Sequence, residues 1–186
     1  FALNRDTKSL DVFDLSLAPI TSLSLLGEDP RRIKIVEGLA IDRNNDGLSD
    51  PGEQYTVALI ATRRDTFDAT GSAVAGSVLV FDISTPSSPT LLTRIETPGI
   101  LRDLDVDVAK RRVFATGESD TIRPGVALGT RAVYMLDLSR LGHALDADGD
   151  GVDDRVLWKQ VLEANSVRVD AARGLVAVGT DKGMDL

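Results

Sequence analysis

Three copies of one short pattern constrain the fold of this chain more than any other feature. In residues 12–16, 80–84 and 135–139, apolar positions alternate with others, and each segment ends in Asp, an apolar residue and Ser. Such alternation is typical of a β-strand with one buried face, and repetition of a segment along a chain indicates a repeated structural unit. The repeated Asp residues are Asp14, Asp82 and Asp137.

Three further elements recur around these copies in a constant order. An apolar-x-apolar-Asp segment occurs at 39–42, 104–107 and 167–170. A strand rich in small residues follows at 57–62, 113–117 and 176–180, with residues 1–4 as one more copy. After the Asp-apolar-Ser strand come apolar stretches at 20–26, 90–95 and 156–162. The order predicts a four-stranded antiparallel unit. The chain would hold strands 2 to 4 of one unit, two complete units, and strands 1, 2 and the start of 3 of another.

Tandem four-stranded units predict an all-β fold, and the architecture built from such units is the β-propeller. A β-sandwich is the alternative. Residues 82–89, Asp-Ile-Ser-Thr-Pro-Ser-Ser-Pro, resemble the LVIVP/YVTN-type repeat of bacterial and archaeal surface propellers, although the copies at Asp14 and Asp137 lack the two prolines. The resemblance implies a secreted or cell-surface protein. Because propellers close with about 4–8 blades, we expect residues 1–186 to be a single propeller segment of about three blades within a longer chain.

Composition argues against several classes of function. The chain has 21 Lys and Arg against 29 Asp and Glu, a net charge of −8, which argues against binding nucleic acid or anionic membranes. No apolar run approaches the roughly 20 residues of a membrane span, so we expect no membrane insertion. Without Cys and with only His143, the chain cannot form disulfides, cysteine-ligated zinc sites or multi-histidine metal centres. We find no phosphate-binding loop, nucleophile elbow or dinucleotide fingerprint, and we predict no catalytic residue and no organic cofactor.

The strongest chemical signal is the stretch 42–53, which matches the twelve-position calcium loop. Calcium takes about 6–8 oxygen ligands, and a loop curling around the ion presents alternate residues to it. Gly47 stands at the sixth position, where the loop turns sharply. The stretch resembles an EF-hand loop flanked by strands; a metal-free polar turn is the alternative. The predicted ligands are Asp42, Asn44, Asp46, Leu48 through its carbonyl, Asp50 and Glu53.

A second acidic loop, residues 146–157, follows the same spacing except at the twelfth position, which is Leu157. We expect Asp153 or a residue from elsewhere to replace the missing carboxylate. We then expect this loop to bind calcium more weakly than the first. The alternative is a ligand geometry closer to that of the thrombospondin type 3 repeats, which this stretch also resembles. Magnesium suits such loops poorly, so we predict one or two structural Ca²⁺ ions. The predicted ligands here are Asp146, Asp148, Asp150, Val152 through its carbonyl, and Asp154.

Both acidic loops are predicted to be insertions into hairpin connections. The first lies between strands 1 and 2 of its unit, and the second between strands 3 and 4 of the next. In an antiparallel meander these connections fall at the same end of the sheet, so we predict both loops on one face, in adjacent blades. Residues 42–53 carry a net charge of −3 and residues 146–157 carry −4, which leaves the rest of the chain nearly neutral.

The sequence therefore favours a non-enzymatic, calcium-stabilised propeller segment of a secreted or cell-surface protein that binds an unidentified protein or glycan. One alternative is part of a propeller enzyme, a metal-dependent hydrolase or quinoprotein-type oxidoreductase, whose catalytic residues lie mostly outside this segment. Another is that the calcium loops form a docking surface, as dockerin-type loops do. Asp103, Asp105 and Asp107 share one strand face, where hydrogen bonding between blades is expected more than a channel ligand.

Overall fold

Strands and turns make up the whole described structure. The computed structural model describes residues 1–42, 44, 50, 52–67, 73–119, 130–139, 149, 153–161, 164–180 and 183–185. These ranges contain fourteen β-strands and no helix, which confirms the all-β prediction. In them no helix is long and apolar enough to cross a membrane.

The strands form four antiparallel sheets, each made of consecutive strands. Sheet 1 contains β1 (Ala2–Asn4), β2 (Ser9–Phe13) and β3 (Pro19–Ser24). Sheet 2 contains β4 (Asp29–Ala40), β5 (Gln54–Phe67), β6 (Ala73–Asp82) and β7 (Thr90–Thr97). Sheet 3 contains β8 (Ile100–Asp107), β9 (Arg112–Ser119), β10 (Thr130–Asp137) and β11 (Val156–Val161). Sheet 4 contains β12 (Ala164–Asp170), β13 (Leu175–Thr180) and β14 (Gly183–Asp185).

The three Asp-apolar-Ser segments form the same turn at the end of the third predicted strand of each unit. In each, the Asp side chain accepts the backbone N–H of the Ser two residues later, a local bond that Asp makes readily. The distance from the Ser nitrogen to Asp Oδ1 is 2.8 Å at Ser16, 2.8 Å at Ser84 and 2.7 Å at Ser139. The short sequence pattern thus corresponds to one local geometry in sheets 1, 2 and 3.

Buried apolar side chains lie between successive sheets. Between sheets 1 and 2 the cluster consists of Leu10, Leu25, Ala58, Ile60, Leu79, Phe81 and Ile83. A larger cluster joins sheets 2 and 3 and includes Val57, Leu59, Val80, Leu104, Tyr134, Leu136 and Leu138. Val133 packs with Ala164 and Val178 between sheets 3 and 4. Because sheet 2 is apolar on both faces, it is buried between its neighbours, and the sheets stack in chain order.

Carboxylates on β8 join the first strands of sheets 3 and 4. Asp103 Oδ2 accepts the backbone N–H of Val167 at 3.2 Å, and Asp105 Oδ2 accepts that of Val169 at 2.9 Å. Both Asp side chains are buried. Hydrogen bonding between neighbouring sheets, the use expected for these residues, is therefore confirmed for Asp103 and Asp105.

The same two carboxylates also reach back to sheet 2. Arg32 Nε lies 3.2 Å from Asp103 Oδ1, and Lys34 Nζ lies 2.7 Å from Asp105 Oδ1. Each carboxylate therefore bridges three sheets with one oxygen toward each neighbour. Asp107 serves a different purpose, because its Oδ1 accepts the N–H of Lys110 at 3.0 Å and closes the turn between β8 and β9.

The structure differs from the sequence prediction at β4. The prediction placed a strand only at 39–42, whereas β4 starts at Asp29 and contains irregularities in its pairing with β5. Its charged side chains, such as Arg32 and Lys34, obscure the apolar alternation because they pair with acidic residues of the next sheet. No closed ring of sheets is formed by the described residues, so the propeller assignment stays a prediction.

Candidate calcium-binding loops

The first acidic loop connects β4 to β5 and is closed at its base by backbone hydrogen bonds. The amide of Ile41 donates to the carbonyl of Glu53 at 3.0 Å, next to the β4–β5 pair formed by Ala40 and Gln54. The ends of the loop, Asp42 and Glu53, are 5% and 8% exposed. The first and twelfth predicted ligand positions thus lie at the hydrogen-bonded, buried base of the loop.

Two more predicted ligands lie beside Glu53. Glu53 Oε2 accepts the amide N–H of Asp50 at 2.8 Å, and the Glu53 amide donates to the Asp50 carbonyl at 3.1 Å. The side-chain amide of Asn44 donates to Asp50 Oδ2 at 3.4 Å. Positions 3, 9 and 12 are therefore linked by local hydrogen bonds, made through the Asn44 side-chain nitrogen and the Asp50 backbone. Asp46 and Leu48 lie outside the described residues.

Over the described ranges alone, no three acidic or histidine side chains converge tightly enough to hold a metal ion. The fifth and seventh positions of the first loop belong to the part of the chain that is not described, so this finding concerns an incomplete ligand set. The donor chemistry present is that of a hard cation, because it consists of carboxylate and amide oxygens without nitrogen or sulfur ligands.

Of the second loop's predicted ligands, only Asp154 is described, and it is exposed in the turn before β11. Asp146, Asp148, Asp150 and Val152 lie outside the described residues. The neighbouring Asp153, or a residue from elsewhere, was expected to substitute for the missing twelfth ligand. Instead, Arg155 Nε donates to Asp153 Oδ1 at 2.9 Å and Arg155 Nη2 to Oδ2 at 2.8 Å. Because both oxygens of this buried carboxylate bind the guanidinium, the structure does not support Asp153 in that role, and a ligand from elsewhere stays a prediction.

Arg155 anchors the end of the second loop to the preceding sheet. Its side chain is 2% exposed and donates to the Thr93 hydroxyl and the Arg94 carbonyl, both at 2.6 Å. Thr93 and Arg94 belong to β7 of sheet 2, whereas the loop belongs to sheet 3. Sequence reasoning missed this role, because an Arg in an acidic loop suggests a solvated side chain and nothing in the local pattern indicates a partner about 60 residues away.

The two loops leave neighbouring sheets side by side. The backbone N–H of Asp42, the first residue of the first loop, donates to the carbonyl of Ser139 at 3.2 Å. Ser139 follows β10 and leads into the second loop. The prediction that both loops extend from the same end of adjacent sheets is thus confirmed where they attach.

Asp137 connects both ends of the second loop. Its backbone N–H donates to the Arg155 carbonyl at 2.8 Å, and its Oδ1 accepts the Ser139 amide at 2.7 Å. Arg112 Nη1 lies 2.7 Å from the same carboxylate. Burial raises the pKa of Asp137, but the bonds from Ser139 and the charge of Arg112 outweigh it, and the pKa lies below its usual value. The carboxylate therefore stays ionised and holds the loop base in place.

No protein-family model, no curated protein and no solved structure matches this chain. The chemistry of the loops therefore rests on their own residues. Together the two loops carry a net charge of −7, out of −8 for the chain, and their described ends leave neighbouring sheets. Such a concentration of carboxylates attracts divalent cations and repels itself without them. Tyr134 is wholly buried in the core between sheets 2 and 3, and His143 lies outside the described residues.

Proposed function

We propose that this chain is a calcium-stabilised segment of a β-propeller that acts as a binding or adhesion scaffold in a secreted or cell-surface protein. The observation that carries the proposal is the closed base of the loop 42–53. There four predicted ligands, Asp42, Asn44, Asp50 and Glu53, lie in the connection between the paired strands β4 and β5, in the spacing of a calcium loop. The bound partner would be a protein or glycan.

The stacking of the sheets supports the propeller part of the proposal. Each sheet is a meander of consecutive strands, and each packs on the next in chain order. Contacts run from the first strand of one sheet to the first strands of its neighbours, as between β8 and β4 and between β12 and β8. A sandwich would instead pair two sheets face to face, and it does not lead naturally to four stacked meanders.

Calcium would stabilise the fold of the scaffold and would take no part in a reaction. The loop base is buried among strand residues, and the ion would neutralise carboxylates that otherwise repel one another. Loops of this class span a wide range of affinities, and those of extracellular modules bind at about 10⁻⁴ to 10⁻³ M, which matches calcium levels outside cells.

Isothermal titration calorimetry tests the metal part of the proposal directly. Calcium added to the chain should give a saturable binding heat, and Asp46→Ala, which removes the fifth ligand of the first loop, should abolish or strongly weaken the stronger site. Magnesium at the same concentrations should bind more weakly, because it tolerates few sites built wholly from protein ligands. Absence of any calcium heat at millimolar concentrations would refute the proposal.

A further inference from the structure

Three cationic side chains surround the first strand of sheet 3, at the edges of their sheets. Arg32 and Lys34 belong to β4, and Arg168 belongs to β12. Their side chains are 50%, 46% and 58% exposed. The carboxylates that they contact, Asp103 and Asp105 of β8, are only 11% and 7% exposed. Solvent at these strand edges therefore meets cations, with the carboxylates beneath them.

The charges within this group do not balance. Arg32 Nε lies 3.2 Å from Asp103 Oδ1, and Arg168 Nη1 lies 2.7 Å from Asp103 Oδ2, so two guanidiniums share one carboxylate. Lys34 Nζ pairs with Asp105 Oδ1 at 2.7 Å. Three cations and two carboxylates leave a local charge of +1 in a chain whose net charge is −8. We call Arg32, Lys34 and Arg168 the edge cations.

Both arginines keep donors for a further partner. Arg32 contacts Asp103 through Nε, and Arg168 contacts Asp103 and the Val167 carbonyl through Nη1. Among the residues that the structure describes, the Nη atoms of Arg32 and the Nη2 atom of Arg168 have no partner. A guanidinium presents its N–H donors in a planar fork that matches the oxygens of a carboxylate or a tetrahedral oxyanion. The remaining donors suit such an anion approaching from solvent, while Asp103 keeps its bonds.

The buried carboxylates fix where the edge cations lie. Arg32 and Lys34 are two positions apart on β4, as Asp103 and Asp105 are on β8, and alternate residues of a strand lie on one side of it. Arg168 reaches back from sheet 4 to Asp103, so its position depends on contacts within the described chain and on no sheet that follows. A group held in place before its ligand arrives loses little conformational entropy on binding.

We propose that the edge cations Arg32, Lys34 and Arg168 bind the carboxylate or sulfate groups of an acidic glycan. The proposal rests on the proposed scaffold function, because it specifies the glycan partner and because the first strands of the sheets surround the central channel of a propeller. Three cations are too few for the continuous phosphates of a nucleic acid. They suit one or two anionic groups on a slender chain, whereas a folded acidic protein needs a surface of about 800 Å².

Calorimetric titration of the whole chain in EDTA tests the site. The probes are a heparin-derived hexasaccharide with sulfates and carboxylates, hexagalacturonate with carboxylates alone, neutral maltohexaose, and hexaglutamate. At about 0.1 M NaCl at least one acidic sugar should bind saturably, and at about 1 M NaCl the binding should be lost, because salt screens the attraction. Maltohexaose should not bind. Absence of binding by both acidic sugars at millimolar concentration would overturn the proposal, as would equally tight binding of hexaglutamate or maltohexaose.

Substitution of the exposed cations separates the site from general surface charge. Arg168→Gln and Lys34→Gln should each raise the Kd of the acidic sugar about three- to tenfold, because each removes a charged donor. Arg173→Gln is the matched control, since Arg173 is 77% exposed and pairs with Asp170 within its own turn. It should change the Kd by less than about twofold. An equal loss of binding in Arg173→Gln would contradict the proposal.

Asp103→Asn moves binding in the opposite direction to stability. It removes the carboxylate that two arginines share, so the local charge rises from +1 to +2 and the acidic sugar should bind more tightly. Stability should fall, because the contacts between sheets are weakened. If the cations only brace the sheets, no gain in binding follows. Circular dichroism checks that each variant is folded, and Arg168→Gln and Lys34→Gln decide the question if Asp103→Asn unfolds. Weaker sugar binding by folded Asp103→Asn would overturn the proposal.

The same calorimeter separates this proposal from the calcium site. Calcium is titrated into the chain without sugar, and the sugars are titrated in EDTA. A chain that gives calcium heat but binds neither acidic sugar overturns the glycan site alone. A chain that binds an acidic sugar in EDTA and gives no calcium heat supports the glycan site and refutes the calcium part of the proposed function.

Discussion

The amide of Asp42 donates a hydrogen bond to the carbonyl of Ser139, with 3.2 Å between nitrogen and oxygen. The bond joins the start of the first acidic loop, after sheet 2, to the segment that leads from sheet 3 into the second loop. The two loops together carry −7 of the net charge of −8. This arrangement has consequences for stability that can be measured with and without calcium.

Salt should stabilise the calcium-free chain. In EDTA the carboxylates of the two loops repel one another, and raising the NaCl concentration screens that repulsion, since the Debye length falls from about 30 Å at 0.01 M to about 10 Å at 0.1 M. The melting temperature should therefore rise with NaCl in EDTA and change much less in saturating calcium. Equal salt dependence in the two buffers would contradict this assignment of the charge.

Replacement of Asp105 should destabilise the stack of sheets. Asp105→Asn removes the charge that pairs with Lys34 and weakens the bond to the Val169 amide, with an expected loss of about 1–3 kcal/mol in the free energy of unfolding. Urea denaturation measures the change. Asp6→Asn is the matched control, because Asp6 is exposed in the β1–β2 turn, and it should stay within about 0.5 kcal/mol of the unchanged chain.

Acid should destabilise the fold through the same carboxylate. Burial raises the pKa of Asp105, but the bonds from Lys34 and from the Val169 amide outweigh it, and the pKa is lower than in the unfolded chain. A lowered pKa adds stability above the unfolded value of about 3.9, and that stability is lost as the pH falls through the folded value. Denaturation curves should therefore show stability falling with pH below about 4, with a shallower fall in Asp105→Asn.

Gly76 on β6 should not tolerate a side chain. A Cβ there would lie 2.5 Å from the Gly99 carbonyl oxygen and 2.8 Å from the Leu101 nitrogen, both backbone atoms at the start of the next sheet. Gly76→Ala should cost about 1–3 kcal/mol, because the backbone must shift. In Gly179→Ala the nearest atom is the Ser166 hydroxyl, which can rotate away, so the loss should be smaller. Thermal unfolding of both variants tests the difference.

The repeated order of apolar segments and turn residues made most of the sheets predictable from the sequence. The Asp-apolar-Ser turns depend on bonds between neighbouring residues, so three short segments were enough to locate them. Alternation of buried residues located β9 and β10 in the same way. The long β4 was missed because Arg32 and Lys34 interrupt the apolar pattern, and their partners Asp103 and Asp105 lie far along the chain.

The candidate site was predictable only where its geometry is local. The spacing of 42–53 indicated that Asp42 and Glu53 would come together, and the bond between Ile41 and Glu53 closes that base. The second loop depends on a long-range contact instead. Arg155 binds both oxygens of Asp153, the residue considered as a replacement for the missing twelfth ligand, and β7 supplies partners for its guanidinium that the sequence of the loop does not reveal.

The most direct test of the central claim is the melting temperature of the chain as a function of free calcium. An ion that binds only the folded chain stabilises it by RT ln(1 + [Ca²⁺]/Kd), about 2.7 kcal/mol at a hundred times Kd. The melting temperature should rise with calcium in the unchanged chain and in Glu37→Gln, whose side chain is exposed on β4, but much less in Glu53→Gln. A melting temperature that does not respond to calcium, or an equal response in Glu53→Gln, would contradict the account.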